Sequence, residues 1–185
     1  MDHFRWIAPF YDRLFGFLEP GRLAELLAPR PSDRLLDVGG GTGRVAQHFR
    51  ATVREVCVVD LSRGMLDQAR AKAGLRACRG RVERLPFADG SFQRIIAVDS
   101  FHHFQDHPQA AVELVRVLAP GGRLVVEEPN IERWPVKLIA LAEALALMRS
   151  RFYSPSDLAR LFQAAGARVT LYDDDALNYW AVVEK

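Results

Sequence analysis

Leu35 to Asp60 reads LLDVGGGTGRVAQHFRATVREVCVVD, and this stretch decides the fold. The apolar run Leu35, Leu36, Asp37, Val38 has the form of a short buried strand. It breaks at Gly39-Gly40-Gly41-Thr42-Gly43 and resumes as a helical pattern in which Val45 and Phe49 share a face. A second apolar run, Glu55 to Val59, ends on Asp60. Strand, glycine turn, helix and a second strand closing on a carboxylate make half of a nucleotide-binding βαβ unit.

Glycines lack Cβ, so they permit a tight turn and let the backbone approach a ligand at a helix N-terminus. Asp60 falls about 20 residues past the first glycine, where a carboxylate can accept hydrogen bonds from both hydroxyls of a ribose. The glycine spacing separates two readings. A dinucleotide fingerprint needs G-x-G-x-x-G, and its third position here is Arg44. The chain instead has Gly39-x-Gly41-x-Gly43 with Asp37 two residues upstream. A carboxylate at the loop mouth repels a pyrophosphate and attracts a cationic ammonium. S-adenosylmethionine, with an amino-acid tail, a ribose, an adenine and no phosphate, meets that requirement.

At these residues the chain resembles the class I S-adenosylmethionine-dependent methyltransferases, and within them the quinone-biosynthesis-like, small-molecule branch (methyltransferase type 11). The matching stretches are LLDVGGGTGRVA, VVDLSRGML, ERLPFADGSFQRIIAVDSFHHF and VRVLAPGGRLVVEEP, which occur in the right order across most of Leu35 to Pro129.

Length and composition agree with one soluble α/β domain. The chain has 185 residues, 49% hydrophobic and 26% charged, with a net charge of +2. Its arginines are spread along the chain rather than gathered in a stripe, which argues against a nucleic-acid binder. Cys57 and Cys78 both fall in expected strands and read as buried free thiols of a reducing, cytoplasmic protein. Met1 to Trp6 carries charge at once, so no secretory signal is visible.

Residues 2–19 are aromatic-rich, and their APFYDRL segment resembles the A-x-x-Y-D-x-L entry of small-molecule methyltransferases. By that resemblance residues 1–30 form a helical lid, with Tyr11 near the methionine moiety of the cofactor. Leu23, Leu26 and Leu27 share a helical face that Pro29 and Pro31 end. Ser62 is an N-cap for a helix through Ala73, stopped at Gly74, with Met65, Leu66 and Ala69 inward. Leu75–Val82 and Ser91–Val98 read as strands. Asp106 caps a helix carrying Ala111, Leu114, Val115 and Leu118, and Pro120-Gly121-Gly122 turns into the strand Arg123–Glu128. Ser154-Pro155-Ser156-Asp157 is a capping box for the helix ending at Gly166. Arg168–Tyr172 and Tyr179–Val183 follow as a hairpin across an aspartate-rich loop.

Strands alternating with helices predict a mostly parallel sheet covered on both faces. The resemblance implies a Rossmann-like, seven-stranded sheet in the order 3-2-1-4-5-7-6, with the last strand antiparallel and a single domain over 1–185. Ligand then lies at the strand C-terminal ends, near the switch between the first and fourth strands. Candidate cofactor contacts there are Asp37, Gly39, Gly40, Gly41, Gly43, Asp60, Leu61, Met65, Arg81, Val82, Glu83, Asp99, Ser100 and His103, with Tyr11 from the lid. In the relatives the third strand usually ends in an acidic residue that accepts from the adenine amino group. Arg81 stands there; it has only donors, though it can stack on a base, and Glu83, expected on the same strand face, either substitutes for the missing acid or pairs with Arg81.

His102 and His103 are candidate proton acceptors, since imidazole titrates near neutrality. As sequence neighbours they are expected to point apart, so no metal site is assigned. The segment lacks the Asn/Asp-Pro-Pro-Tyr/Phe motif of DNA amino-methyltransferases and the Pro-Cys nucleophile of cytosine enzymes, which disfavours nucleic-acid targets. Residues 130–155 are where such folds build an acceptor site: Trp134, Leu138, Leu141, Leu145, Met148, Phe152 and Tyr153 form either an apolar pocket wall or, through 134–150, a sheet cover or dimer surface. The apolar stretch is shorter than the ~20 residues a bilayer span needs. The expected activity is methyl transfer to a small, apolar or aromatic acceptor. A cofactor-binding but inactive relative and a nicotinamide oxidoreductase are the alternatives.

Overall fold

The computed structural model describes residues 20–145, 150–173 and 177–185. Of the lid expected over residues 1–30, residues 1–19 with Tyr11 lie outside them, as do Met148 and Asp174-Asp175, while Pro20–Leu27 is a helix on the sheet whose Leu26 carbonyl accepts from Arg123 at the strand ends opposite the rim. The strands are β1 (Arg34–Val38), β2 (Glu55–Asp60), β3 (Leu75–Arg79), β4 (Phe92–Val98), β5 (Leu118–Pro129), β6 (Arg168–Tyr172) and β7 (Asn178–Glu184). The α-helices are α1 (Pro20–Leu27), α2 (Arg63–Ala71), α3 (His107–Val117), α4 (Trp134–Leu145) and α5 (Pro155–Ala164).

The strands form one seven-stranded sheet in the order β3-β2-β1-β4-β5-β7-β6. β1 pairs with β2 and β4, β2 with β3, and β4 with β5, all parallel; β7 runs antiparallel to β5 and β6. The central strands are buried on both faces, as apolar runs without alternation require. On one face Leu114 of α3 and Phe162 of α5 pack on Val38, Ala97 and Val126. On the other, Leu23 and Leu27 of α1, Phe49 after the glycine loop and Leu66 of α2 pack on Val58, Ile96 and Val125. The caps act as the sequence suggests: Ser62, Asp106 and Ser154 accept from the N–H of Met65, Gln109 and Asp157.

Four local expectations are corrected. The helix after the glycine loop is a run of turns closing on a 3-10 helix, Ala46–Phe49. Its bonds mix four-residue (Gln47 to Gly43) and three-residue spacing (His48 to Val45) because the link to β2 is too short for a regular helix, although Val45 and Phe49 are both buried as expected. β3 ends at Arg79, because its partner β2 ends at Asp60; Gly80 makes the last contact, to the Asp60 carbonyl at 3.2 Å. Arg81 to Arg84 then forms a turn, so Arg81 and Glu83 do not share a strand face. Finally, Pro120–Gly122 is a bulge inside β5, which already pairs at Leu118 with Phe92.

Candidate functional site

β1, β2, β4 and β5 all end at one rim, and the chain leaves β1 and β4 on diverging paths there. At the mouth of the β1 loop, Gly39 and Gly40 donate to the Val59 carbonyl at 2.8 and 3.3 Å, while Gly43 donates to Gly40 at 2.8 Å. Gly39, Gly41 and Gly43 have φ of 65°, 54° and 70°. Gly40 is needed for a different reason: a Cβ there would lie 2.4 Å from the Asp37 carboxyl carbon. The loop is folded down onto a carboxylate.

Asp37 is 1% exposed, and its Oδ2 has no hydrogen-bond partner among the described residues. Burial, and then Asp60, push its pKa up to about 7, against the lowering effects of Arg44 and the Ala46 N–H. Asp60 accepts from Gly41 N–H through Oδ2 at 2.9 Å and from Ser62 N–H through Oδ1 at 2.7 Å. Each oxygen has two lone-pair sites, so Asp60 can hold the loop in place and still accept from a ligand. Met65 is buried, its Sδ close to Gly41, and Leu61 is exposed at the rim.

Across the switch point, Asp99 has φ of 49°, uncommon without glycine, and its N–H donates to the Glu127 carbonyl at 2.9 Å. Ser100 Oγ donates to the Val38 carbonyl at 3.0 Å, which ties the end of β4 to the glycine loop. Phe101–His103 is a single 3-10 turn held by Glu128, a 3% exposed residue at the end of β5. Glu128 Oε1 accepts from the N–H of Ser100 at 3.0 Å and of Phe101 at 2.7 Å, and Oε2 meets His102 Nδ1 at 2.6 Å.

His102 is buried and lies flat on Phe152, with ring centroids 4.5 Å apart. His103 Nδ1 meets Ser150 Oγ at 3.0 Å, and desolvation and then His102 hold its pKa below the usual histidine range. The two rings are 4.0 Å apart rather than divergent, because a 3-10 turn brings neighbours together where a strand would separate them. Among the described residues no group of three or more His, Cys, Asp or Glu is placed to hold a metal.

Past the end of β3, Arg81 is exposed and donates to Gln105 Oε1 at 2.7 Å. Val82 is buried. Glu83 Oε1 accepts from the N–H of Gln105 at 2.8 Å and of Asp106 at 3.3 Å, so its carboxylate braces the start of α3. The apolar wall expected on residues 134–153 divides. Trp134, Leu138 and Leu141 of α4 are exposed at 72%, 56% and 57%, while Val136 faces inward. Phe152 and Tyr153 return to the rim, Tyr153 against Phe101 and His107. The side chains of Leu145 and Met148 lie outside the described residues. Helix α4, like every other described helix, is too short or too polar to cross a membrane.

Sequence reading missed Glu127, Glu128, Asn178 and the reach of Arg44. Two adjacent glutamates closing the apolar strand LVVEEP were the available signal. A cleft of about 190 Å³ between α1 and the β5–β7–β6 edge is far from this rim. Its charges pair internally, Arg123 with Glu184 and Arg22 with Glu25.

The mostly parallel sheet with its glycine loop and acidic rim defines a Rossmann-like domain. Comparison with known proteins narrows this: residues 36–126 match the family model described as a methyltransferase domain. The chain is 40% identical over 142 residues to demethylmenaquinone methyltransferase of Deinococcus radiodurans, covering 69% of this chain and 58% of that protein. It is 40% identical over 152 residues to the ubiquinone/menaquinone biosynthesis C-methyltransferase UbiE of Paracoccus denitrificans, covering 74% and 60%. Thus the chain spans only about 60% of the length of these curated relatives.

Among solved structures, an S-adenosylmethionine-dependent methyltransferase from Thermotoga maritima matches with a TM-score of 0.80 at 22% identity, covering 98% of this chain and 97% of that one. Another from Mesorhizobium loti matches at 0.78 and 18% identity, covering 92% and 99%. At such identities the likeness speaks to the fold alone. Residues 36–126 of the chain thus carry a methyltransferase domain.

Proposed function

We propose that this domain binds S-adenosylmethionine at the β1–β2 rim and methylates a small aromatic acceptor of the quinol type. The observation that carries the reading is Asp37: a buried carboxylate with an unpartnered oxygen under a loop of glycines, next to a second carboxylate, Asp60. Two acids there oppose a diphosphate and favour a ligand with a cationic end and hydroxyls. The residues present fit the cofactor. Asp37 and the backbone of Gly39–Gly43 would hold its amino-acid end, Asp60 its ribose, and Leu61, Met65, Val82 and Arg81 would flank its base. When bound, the group supplies an electrophilic methyl on a sulfonium. The chain's own work is then orientation in a dry pocket.

The acceptor side is built by Asp99, Ser100 and the 3-10 turn. Here His102 is a positioning residue: Glu128 and Phe152 hold it from two sides. The relatives named for demethylmenaquinone and ubiquinone biosynthesis suggest a hydroquinone acceptor, and Phe152 and Tyr153 offer it aromatic surface. Residues 130–155 serve as the acceptor-side insert. Calorimetry with S-adenosylhomocysteine and with NAD tests the cofactor: saturable binding of the first and none of the second is expected. Binding of NAD alone would sink the reading. Transfer of a labelled methyl group to a demethylated naphthohydroquinone tests the acceptor.

A further inference from the structure

Glu127 closes β5 on the sheet face it shares with Asp37, paired in register with Val98 of β4 and Trp180 of β7. It is 8% exposed. Its Oε1 accepts from Asn178 Nδ2 at 2.9 Å, while Oε2 is buried with no hydrogen-bond partner among the described residues. A carboxylate oxygen withdrawn from water calls for a donor. Among the described residues none is given on this side: Asp99 and Glu128 add negative charge around it, and Arg44, which also acts on Asp37, offsets them. Thus the two buried carboxylates with an unpartnered oxygen stand on either side of the switch point, Asp37 at the glycine loop and Glu127 across β4.

We propose that Glu127, oriented by Asn178, is the group that receives the hydroxyl of the acceptor and selects aromatic hydroxyl compounds over their unsubstituted counterparts. This rests on the function proposed above. Asp37 is committed to the cofactor's cationic end under the glycine loop, so the acceptor falls to Glu127, whose register neighbours Val98 and Trp180 are apolar. The proton step is simple. The acceptor O–H bond breaks, its electron pair remains on the oxygen as a phenolate-type nucleophile, and the proton forms an O–H bond on Glu127 Oε2. Burial, then Asp99 and Glu128, set the Glu127 pKa at about 7, so the carboxylate can take up a proton near neutrality.

The test uses the full chain saturated with S-adenosylhomocysteine and compares binding of 1-naphthol with that of naphthalene by calorimetry. The wild type is expected to prefer 1-naphthol by about tenfold at about pH 8, with the preference shrinking toward about pH 6 as Glu127 becomes protonated. Glu127→Leu should lose the preference while its affinity for S-adenosylhomocysteine stays within about twofold. Glu127→Gln, which keeps the side-chain volume and so guards against a folding artefact, should make the preference independent of pH. Equal preference in Glu127→Leu, or no preference in a wild type that binds S-adenosylhomocysteine, overturns the assignment of Glu127. Failure of the wild type to bind S-adenosylhomocysteine instead removes the cofactor reading beneath it.

Discussion

The two halves of the rim, β1–β2 and β4–β5, are built to the same plan. Each has a carboxylate that accepts two backbone N–H groups: Asp60 from Gly41 and Ser62, Glu128 from Ser100 and Phe101. Each also has a buried carboxylate with an unpartnered oxygen, Asp37 and Glu127, and Arg44 acts on both. The halves differ in what the first carboxylate has left. Glu128 is 3% exposed and also engages His102, so it builds the wall and does nothing else. Asp60 is half-buried and stays in reach of water. An acid that braces a loop becomes a ligand group only when the fold leaves it a wet side.

That comparison breaks most directly at Glu128. Glu128→Ala removes the acceptor of two buried N–H groups and of His102. Denaturant unfolding is expected to show a loss on the order of 4 kcal/mol. A loss below about 1 kcal/mol would show that the turn does not depend on it.

The second pair is tested by pH. Asp37 and Glu127 both have folded pKa values near 7, above their ordinary values of 3.8 and 4.5. The folded state therefore binds protons that the unfolded chain releases. The stability this contributes is fully present below about pH 4 and is lost as pH rises to 7. Urea midpoints of the ligand-free protein at about pH 5 and pH 8 should differ less in Asp37→Asn and in Glu127→Gln than in the wild type. A difference from the wild type on the order of 2–3 kcal/mol is expected for each single variant and about 5 kcal/mol for the double, and an unchanged pH profile counts against the raised pKa values.

Asp60→Ala sharpens the contrast with Glu128. It should weaken S-adenosylhomocysteine binding by about 2 kcal/mol, seen by calorimetry, because the ribose hydroxyls and Gly41 N–H lose their acceptor together. Unchanged affinity would take Asp60 out of the site. The smallest effect is expected for Phe152→Leu, which keeps an apolar side chain and loses only the ring stacked on His102. About 1 kcal/mol is expected, with a downfield move of the His102 ring protons in NMR spectra. No move would deny the stack.

Much of the β1–β2 half of the rim was legible in the residues themselves. Asp37, the glycines and Asp60 sit within one βαβ unit, where a turn, a close approach and a carboxylate leave local marks. The β4–β5 half was not. Glu128 acts on Ser100 and Phe101 across a parallel crossover, and Asn178 reaches Glu127 from an antiparallel strand fifty residues further on. Nothing in the local pattern of LVVEEP or LNYW pairs them. Arg81 and Glu83 misled for a related reason: strand length there is set by where β2 stops, not by the β propensity of the segment itself.

Hydrophobic periodicity, the glycine spacing and the caps at Ser62, Asp106 and Ser154 determine the order of elements, because each depends on contacts within a few residues. The sheet then decides which acids share the rim, which carboxylate oxygens lose water and which keep it, because desolvation is a property of the packed neighbourhood rather than of the chain. Family and fold could be read along the sequence; the division of labour among Asp37, Asp60, Glu127 and Glu128 exists only once the sheet has closed over them.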